Sequence, residues 1–271
     1  MNPRDFSDAL FNEMAWTRLA VFALNTQVFL ERLTLQFILT PVPRLNQLPE
    51  PVIAANSFGI ADTRGAAEYG GRASYLFESG LDLGLIYFRH WNRNPALQLA
   101  SVDPATGAFI FSQVASQVDT VGLTASQASG DWVFRMDSVL HLNQPGTVST
   151  AEALRTSSNW QTILGADWTD SEGGNWGVQY HLDQADRANH WVSGMVRRSF
   201  RGRKWEAECF AFKGLGNPDL WIQPRLTWYL NDSVSWSLRS DLLTGSDSLN
   251  NGALSSFSKQ DRVLSWIGLR F

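Results

Sequence analysis

Cysteine is nearly absent: Cys209 is the only one in 271 residues. That excludes an internal disulfide and argues against a cysteine-based metal site. No apolar run reaches the ~18 residues that argue for a membrane-crossing helix. No Gly-rich phosphate loop, zinc spacing or nucleotide fingerprint occurs. The net charge of −4 argues against a nucleic-acid partner. Met1-Asn2-Pro3-Arg4-Asp5 has neither the basic nor the apolar segment of a secretion signal. No solenoid repeat or linker composition divides the chain. What the chain has in quantity is aromatic, with 12 Trp and 16 Phe. Tryptophan concentrates where a protein crosses a membrane–water boundary.

The end of the chain, Asp261–Phe271, reads DRVLSWIGLRF. Side chains of a strand alternate between two faces. Val263, Ile267, Leu269 and Phe271 share one parity, interrupted only by Ser265. Arg262, Leu264, Trp266, Gly268 and Arg270 share the other. An apolar strand ending at a free carboxylate is an aggregation hazard in water, and a closed barrel in a membrane removes it. This terminal segment resembles the last strand of bacterial outer-membrane β-barrels. The resemblance implies that Val263, Ile267, Leu269 and Phe271 form a signal read by the barrel-assembly machinery.

The same alternation runs back through the chain. Thr17–Phe29 and Leu33–Leu39 read as strands, followed by a loop from Pro41 to about Ala66 that carries Pro41, Pro43, Pro49 and Pro51. Further hairpins are expected at Glu68–Phe77 with Leu81–Trp91, and at Ser116–Gln127 with Trp132–Leu142. Three more follow: Trp160–Thr169 with Trp176–Asp183, His190–Phe200 with Trp205–Lys213, and Leu220–Leu230 with Ser233–Leu243. Asn92–Ala115, Asn143–Ser158 and Gly245–Gln260 read as long loops, the second with a helical turn capped by Ser149 and Glu152. A short helix is expected at Asp8–Trp16, with Ser7 as its cap.

Short and long connections alternate, as the periplasmic turns and extracellular loops of such barrels do. The fold expected is an all-β, transmembrane, antiparallel up-and-down barrel of about 12–14 strands. Residues 1–16 would be an N-terminal segment and 17–271 the barrel. An odd count near thirteen places the start outside, which points to a piece of a larger barrel. The alternative is a missed short strand at Ala108–Gln113. A soluble β-sandwich is the bland reading, but its strands average only about 5–6 residues. Trp91, Trp132, Trp160, Trp176 and Trp228 lie at strand ends, as an aromatic girdle would.

Asn2-Pro3-Arg4-Asp5-Phe6, Leu39-Thr40-Pro41, Asp119-Thr120-Val121-Gly122-Leu123 and Gly130-Asp131-Trp132-Val133-Phe134-Arg135 carry a second resemblance. Together they resemble the C-terminal part of large proteobacterial outer-membrane porin-like barrels, a family known mainly as a domain of unknown function. That resemblance implies an envelope protein and supplies no catalytic residues.

Parity assigns Glu68, Arg72, Asp82, Arg135, Asp137, His141, Asp167, His181, Asp183, Glu206, Glu208, Arg225, Arg239, Asp241 and Arg270 to the lumen. Acidic groups outnumber arginines in this set, so weak cation preference is expected. Phe210 and Phe212 share parity with Glu206 and Glu208, which requires either a bulge or an aromatic patch in the lumen.

His181 and Asp183 share a face, as a His/Asp pair of outer-membrane proteases does, but no second acidic pair stands beside them. His190 and Ser193 resemble the His/Ser motif of outer-membrane phospholipases, yet three residues apart they lie on opposite faces. Cys209 reads as a small apolar residue on a lipid-facing strand.

The function expected is passive passage of small solutes across the bacterial outer membrane, with no metal and no cofactor. The partners expected are outer-membrane lipid, lipopolysaccharide, the assembly machinery and a small-molecule solute, with no nucleic acid. The rivals are an envelope hydrolase and a structural barrel that sheathes another protein. Three mutational expectations follow. Leu226→Arg and Trp236→Arg should be costly, Gln223→Arg and Ser237→Arg tolerated, and deletion of 52–62 should widen the pore.

Overall fold

The computed structural model describes residues 20–45, 66–93, 96–102, 104–105, 107, 109–145, 148–149, 156–184, 188–202, 204–245 and 261–269. The helix expected at Asp8–Trp16, most of the 41–66 loop, Arg270, Phe271 and the segment 52–62 lie outside these residues.

The protein is all-β. One sheet of 13 strands forms an antiparallel meander. In sequence order its first strands are β1 (Leu24–Leu30), β2 (Leu33–Thr40), β3 (Glu68–Leu76) and β4 (Leu81–Trp91). Then come β7 (Gln117–Ser129), β8 (Trp132–Pro145), β10 (Thr156–Thr169), β11 (Asn175–Gln184) and β12 (Ala188–Phe200). The last are β13 (Trp205–Gly214), β14 (Leu220–Tyr229), β15 (Val234–Thr244) and β16 (Arg262–Leu269). β1 and β16 are its two edges, and no hydrogen bonds join them into a barrel. The chain divides into two compact units, one of Met1–Phe77, Leu83–Leu123 and Val139–Trp160, the other of Glu78–Asp82, Thr124–Ser138 and Gln161–Phe271.

Local chemistry explains the tight turns. Glu31 turns β1 into β2 at φ 51°, and Gly130 turns β7 into β8 at φ 59°. Arg201 and Gly202 both take positive φ, the pairing whose twist suits a hairpin. At 170–174 the Asp170 carboxylate accepts from the amides of Glu172 at 2.9 Å and Gly174 at 2.7 Å. Asn231 does the same for Ser233 and Val234 at 2.9 and 2.8 Å. These side chains replace the backbone partners that a turn lacks.

Gly70 marks a close approach within the first unit. A Cβ there would overlap the Tyr87 carbonyl and lie 2.8 Å from the Phe88 Cα. Gly70→Ala should therefore cost about 1–3 kcal/mol through overpacking. An unchanged urea midpoint would show that β4 yields freely.

Three sequence expectations need correction. The first strand begins at Leu24, not Thr17, because 20–23 lie outside any ladder. The stretch 92–115 is not simply a loop: it holds β5 (Ala96–Val102) and β6 (Phe109–Val114). These pair antiparallel, with a register shift between Leu99 and Ser101. The stretch 143–158 is likewise shortened by β8 and β10, and it contains β9 (Val148–Ser149). β9 pairs in parallel with β5, Leu97 opposite Val148, so two separate connections meet in a second, three-stranded sheet. Ser149 sits in that ladder and does not cap a helix.

Candidate functional site

Burial is inverted in this protein. Among the described residues, Ala96 and Val118 are the fully buried apolar side chains. Thr40, Glu68, Thr120, Ser193, Glu206, Thr227, Ser237 and Asp241 are buried although they are polar. Val263, Ile267 and Leu269 of β16 are 70, 69 and 60% exposed. Leu85, Val178, Trp132, Trp160, Trp176 and Trp228 are exposed as well. The sheet therefore has an uncovered apolar face and a mutually bonded polar face.

In the first unit, Glu68 is 1% exposed and opens β3. It accepts from the Trp91 amide at 3.0 Å and from Arg93 at 2.6 and 2.8 Å. Arg93 also donates to the Arg44 carbonyl at 3.0 Å, tying the 41–45 segment to the end of β4. Deeper along the strands, the Thr120 hydroxyl lies 2.9 Å from Nε2 of His90 and 2.7 Å from Nδ1 of His141. Nδ1 of His90 lies 2.9 Å from the Trp91 carbonyl, which can only accept. Nδ1 therefore carries the proton, and in the neutral ring Nε2 accepts from Thr120. His141 then donates to the same oxygen. The chain of bonds fixes β4, β7 and β8 at one level.

In the second unit, registers fix the polar face from β11 to β16. Ser199, Glu206, Thr227, Ser237 and Trp266 form one row across the strands. Arg197, Glu208, Arg225 and Arg239 form the next. Arg197 pairs with Glu206 and Arg225 with Glu208, each at 2.7 Å. Asp241, 1% exposed, accepts from Trp221 at 3.3 Å, from Arg239 at 3.5 Å, from Arg262 at 2.6 Å and from Gln223. Thr227 and Ser237 share a hydroxyl bond of 3.0 Å. On β8 and β10, Arg135 pairs with Asp167.

The structure thus sets Glu206, Glu208, Arg225, Arg239 and Asp241 in a belt of separate ion pairs on one face, and pairs Arg135 with Asp167. Arg72 and Asp82 are half-buried in β3 and β4. Arg135 and Asp137 are exposed rather than enclosed. His181 and Asp183 share a face but take different partners. His181 Nε2 lies 3.1 Å from Ser193 Oγ, whereas Asp183 accepts from Gln161 at 3.2 Å. His190 bonds the Tyr180 hydroxyl instead of Ser193. Trp91 departs from the exposed girdle: it is half-buried, and its indole donates to the Ala66 carbonyl at 3.0 Å.

Sequence reading missed Arg93, Arg197 and Thr120, weighed Ser193 only against His190, and left Arg262 out of the polar set. Arg262 was readable, because it shares parity with Leu264 and Trp266. β12 and β13 pair without a register shift, so Phe210 and Phe212 lie among the polar residues as an aromatic patch and not through a bulge. Cys209 is a free, half-buried thiol opposite Pro224 on the apolar parity. Among the described residues no three metal-ligating side chains gather.

Neither a protein-family model nor a curated protein sequence matches the chain.

Proposed function

We propose that this chain forms a porin-like β-barrel of the bacterial outer membrane through which small solutes pass passively. The inverted burial carries the reading. In water, exposing one whole face of Leu, Val, Ile and Trp leaves apolar area that folding otherwise removes. In a bilayer the same face is solvated by acyl chains, and the polar groups have to satisfy one another or meet water on the other side.

A second regularity supports it. Trp168 stacks on Trp132 at 6.1 Å and meets Trp176 tilted at 6.2 Å, and Phe200, Trp205 and Trp228 stack at 6.5 and 5.4 Å. All of them flank the short turns at 130–131, 170–174, 201–204 and 230–233. One aromatic belt at one end of the strands suits a membrane–water interface. Arg93, Arg197 and Arg262 nearly balance the carboxylates, which weakens the cation preference expected from sequence. Barrel closure and the resemblance to porin-like proteins belong to this proposal.

Reconstitution tests it. Detergent-folded protein should migrate faster on a gel before heating than after, and should produce stepwise conductance in planar bilayers. A protein that is soluble without detergent and gives no conductance would end the reading. The His181–Ser193 contact favours a hydrolase as the second reading, though among the described residues no carboxylate bonds the ring. Ester hydrolysis lost on Ser193→Ala would favour it.

A further inference from the structure

We infer that the polar face of β12–β15 carries a binding site for an aromatic carboxylate, an anion of the benzoate class. The inference deepens the solute-passage reading and rests on this face being the one that meets solute.

Register builds the site. Phe210 stands opposite Gln223, and its diagonal neighbours on β14 are Arg225 on one side and Trp221 on the other. Diagonal neighbours on one face lie about 7–8 Å apart, which one ring bearing a carboxylate can span. Phe210 meets Trp221 edge-on at 5.3 Å, and Trp191 stacks on Phe212 at 6.4 Å. Aromatic rings on a polar face are costly to leave in water, and they offer a planar ligand a stacking surface.

The hydrogen-bond inventory sets the ligand's charge. Each carboxylate of this face is already engaged: Glu206 by Arg197, Glu208 by Arg225, and Asp241 by Arg239 and Arg262. Those pairs set four guanidinium groups against three carboxylates among the described residues. Within the strands β12–β15, the buried side-chain atoms left without a hydrogen-bond partner among the described residues are donors. Nε of Arg225, Nε of Arg239 and Nε1 of Trp191 are buried with no hydrogen-bond partner among the described residues. A buried donor without an acceptor is unfavourable, and a carboxylate seated over Arg225 and Arg239 relieves it as the guanidinium planes turn towards it. A neutral sugar would also stack on the rings and bond the arginines, but it brings no negative charge to set against them. An aliphatic acid would meet the charge and forgo the rings.

The test is equilibrium dialysis of the full chain, folded in detergent, against radiolabelled benzoate. Saturable binding is expected, displaced by unlabelled benzoate and far less by acetate or glucose. The double variant Arg225→Gln/Arg239→Gln should weaken binding by about tenfold or more, the loss of a charge-assisted hydrogen bond. Phe210→Leu, which keeps the ion pairs, should narrow the preference for benzoate over cyclohexanecarboxylate. Heat-dependent gel migration reports whether each variant folds, and the competition on the unaltered chain decides the matter should a variant fail to. No saturable binding, or equal displacement by acetate, overturns the site. Bilayer conductance from the same preparation separates the two readings. Conductance without saturable binding removes the site and leaves the channel, and binding without conductance does the reverse.

Discussion

Leu85→Arg should destabilise the folded protein by about 2–4 kcal/mol in lipid vesicles, the cost of a charge near the bilayer midplane. Leu85 lies midway along β4 and is 60% exposed. At a comparably exposed site in a water-soluble protein the same change would stay within about ±0.5 kcal/mol. The sign of the environment is thus read from one residue. Gln179→Arg is the control, because Gln179 is exposed on the polar parity of β11, opposite Ser193. Urea unfolding in vesicles should separate the two variants, and equal midpoints would remove the apolar face from the lipid. Trp236 is a poorer probe than its sequence implies, since it stands opposite Trp228 near the 230–233 turn, where a membrane–water interface would shrink the penalty. Ser237→Arg should not be tolerated, contrary to the sequence expectation. Ser237 is 5% exposed and bonded to Thr227, so arginine has no room.

Asp241→Asn should cost about 3 kcal/mol, because breaking a buried ion pair leaves charge uncompensated. The substitution keeps the shape but turns one acceptor into a donor that faces the guanidinium groups of Arg239 and Arg262. The same change in an Arg239→Gln/Arg262→Gln background should cost under about 1 kcal/mol, since the coupling is then absent. Denaturant midpoints of the four proteins close this cycle. Equal costs in both backgrounds would mean that Asp241 acts by packing and not by charge.

The hairpins were legible because their two signals coincide. In β4, Leu81, Leu83, Leu85 and Tyr87 alternate with Asp82 and Gly84, and Ser79-Gly80 supplies the turn, so Leu81–Trp91 was readable to the residue. β5 and β9 were not. β9 has only Val148 and Ser149, too short for any period, and its partner lies far away in sequence. The ionic belt was half legible. Parity placed Glu206, Glu208, Arg225, Arg239 and Asp241 on one face, but parity cannot say which residues stand opposite one another. The pairing of His181 with Ser193 depends on how β11 and β12 slide past each other, and the 185–187 connection does not encode that. Arg197 was missed for a related reason: in Arg197-Arg198 two like residues occupy both parities, and only the ladder with Glu208 shows which one lies on the polar face.

The parallel contact of β5 with β9 has a consequence for the order of events in folding. Every neighbouring pair in the meander joins strands that follow one another along the main sheet, so each can zip onto the one before it. The Leu97–Val148 pairing closes a span that includes β6, β7 and β8, and the entropy of bringing its ends together falls only once those strands are laid down. The three-stranded sheet should therefore be a late clasp. Once formed, it makes the connections after β4 and after β8 a single mechanical element, so that shortening one of them releases the other.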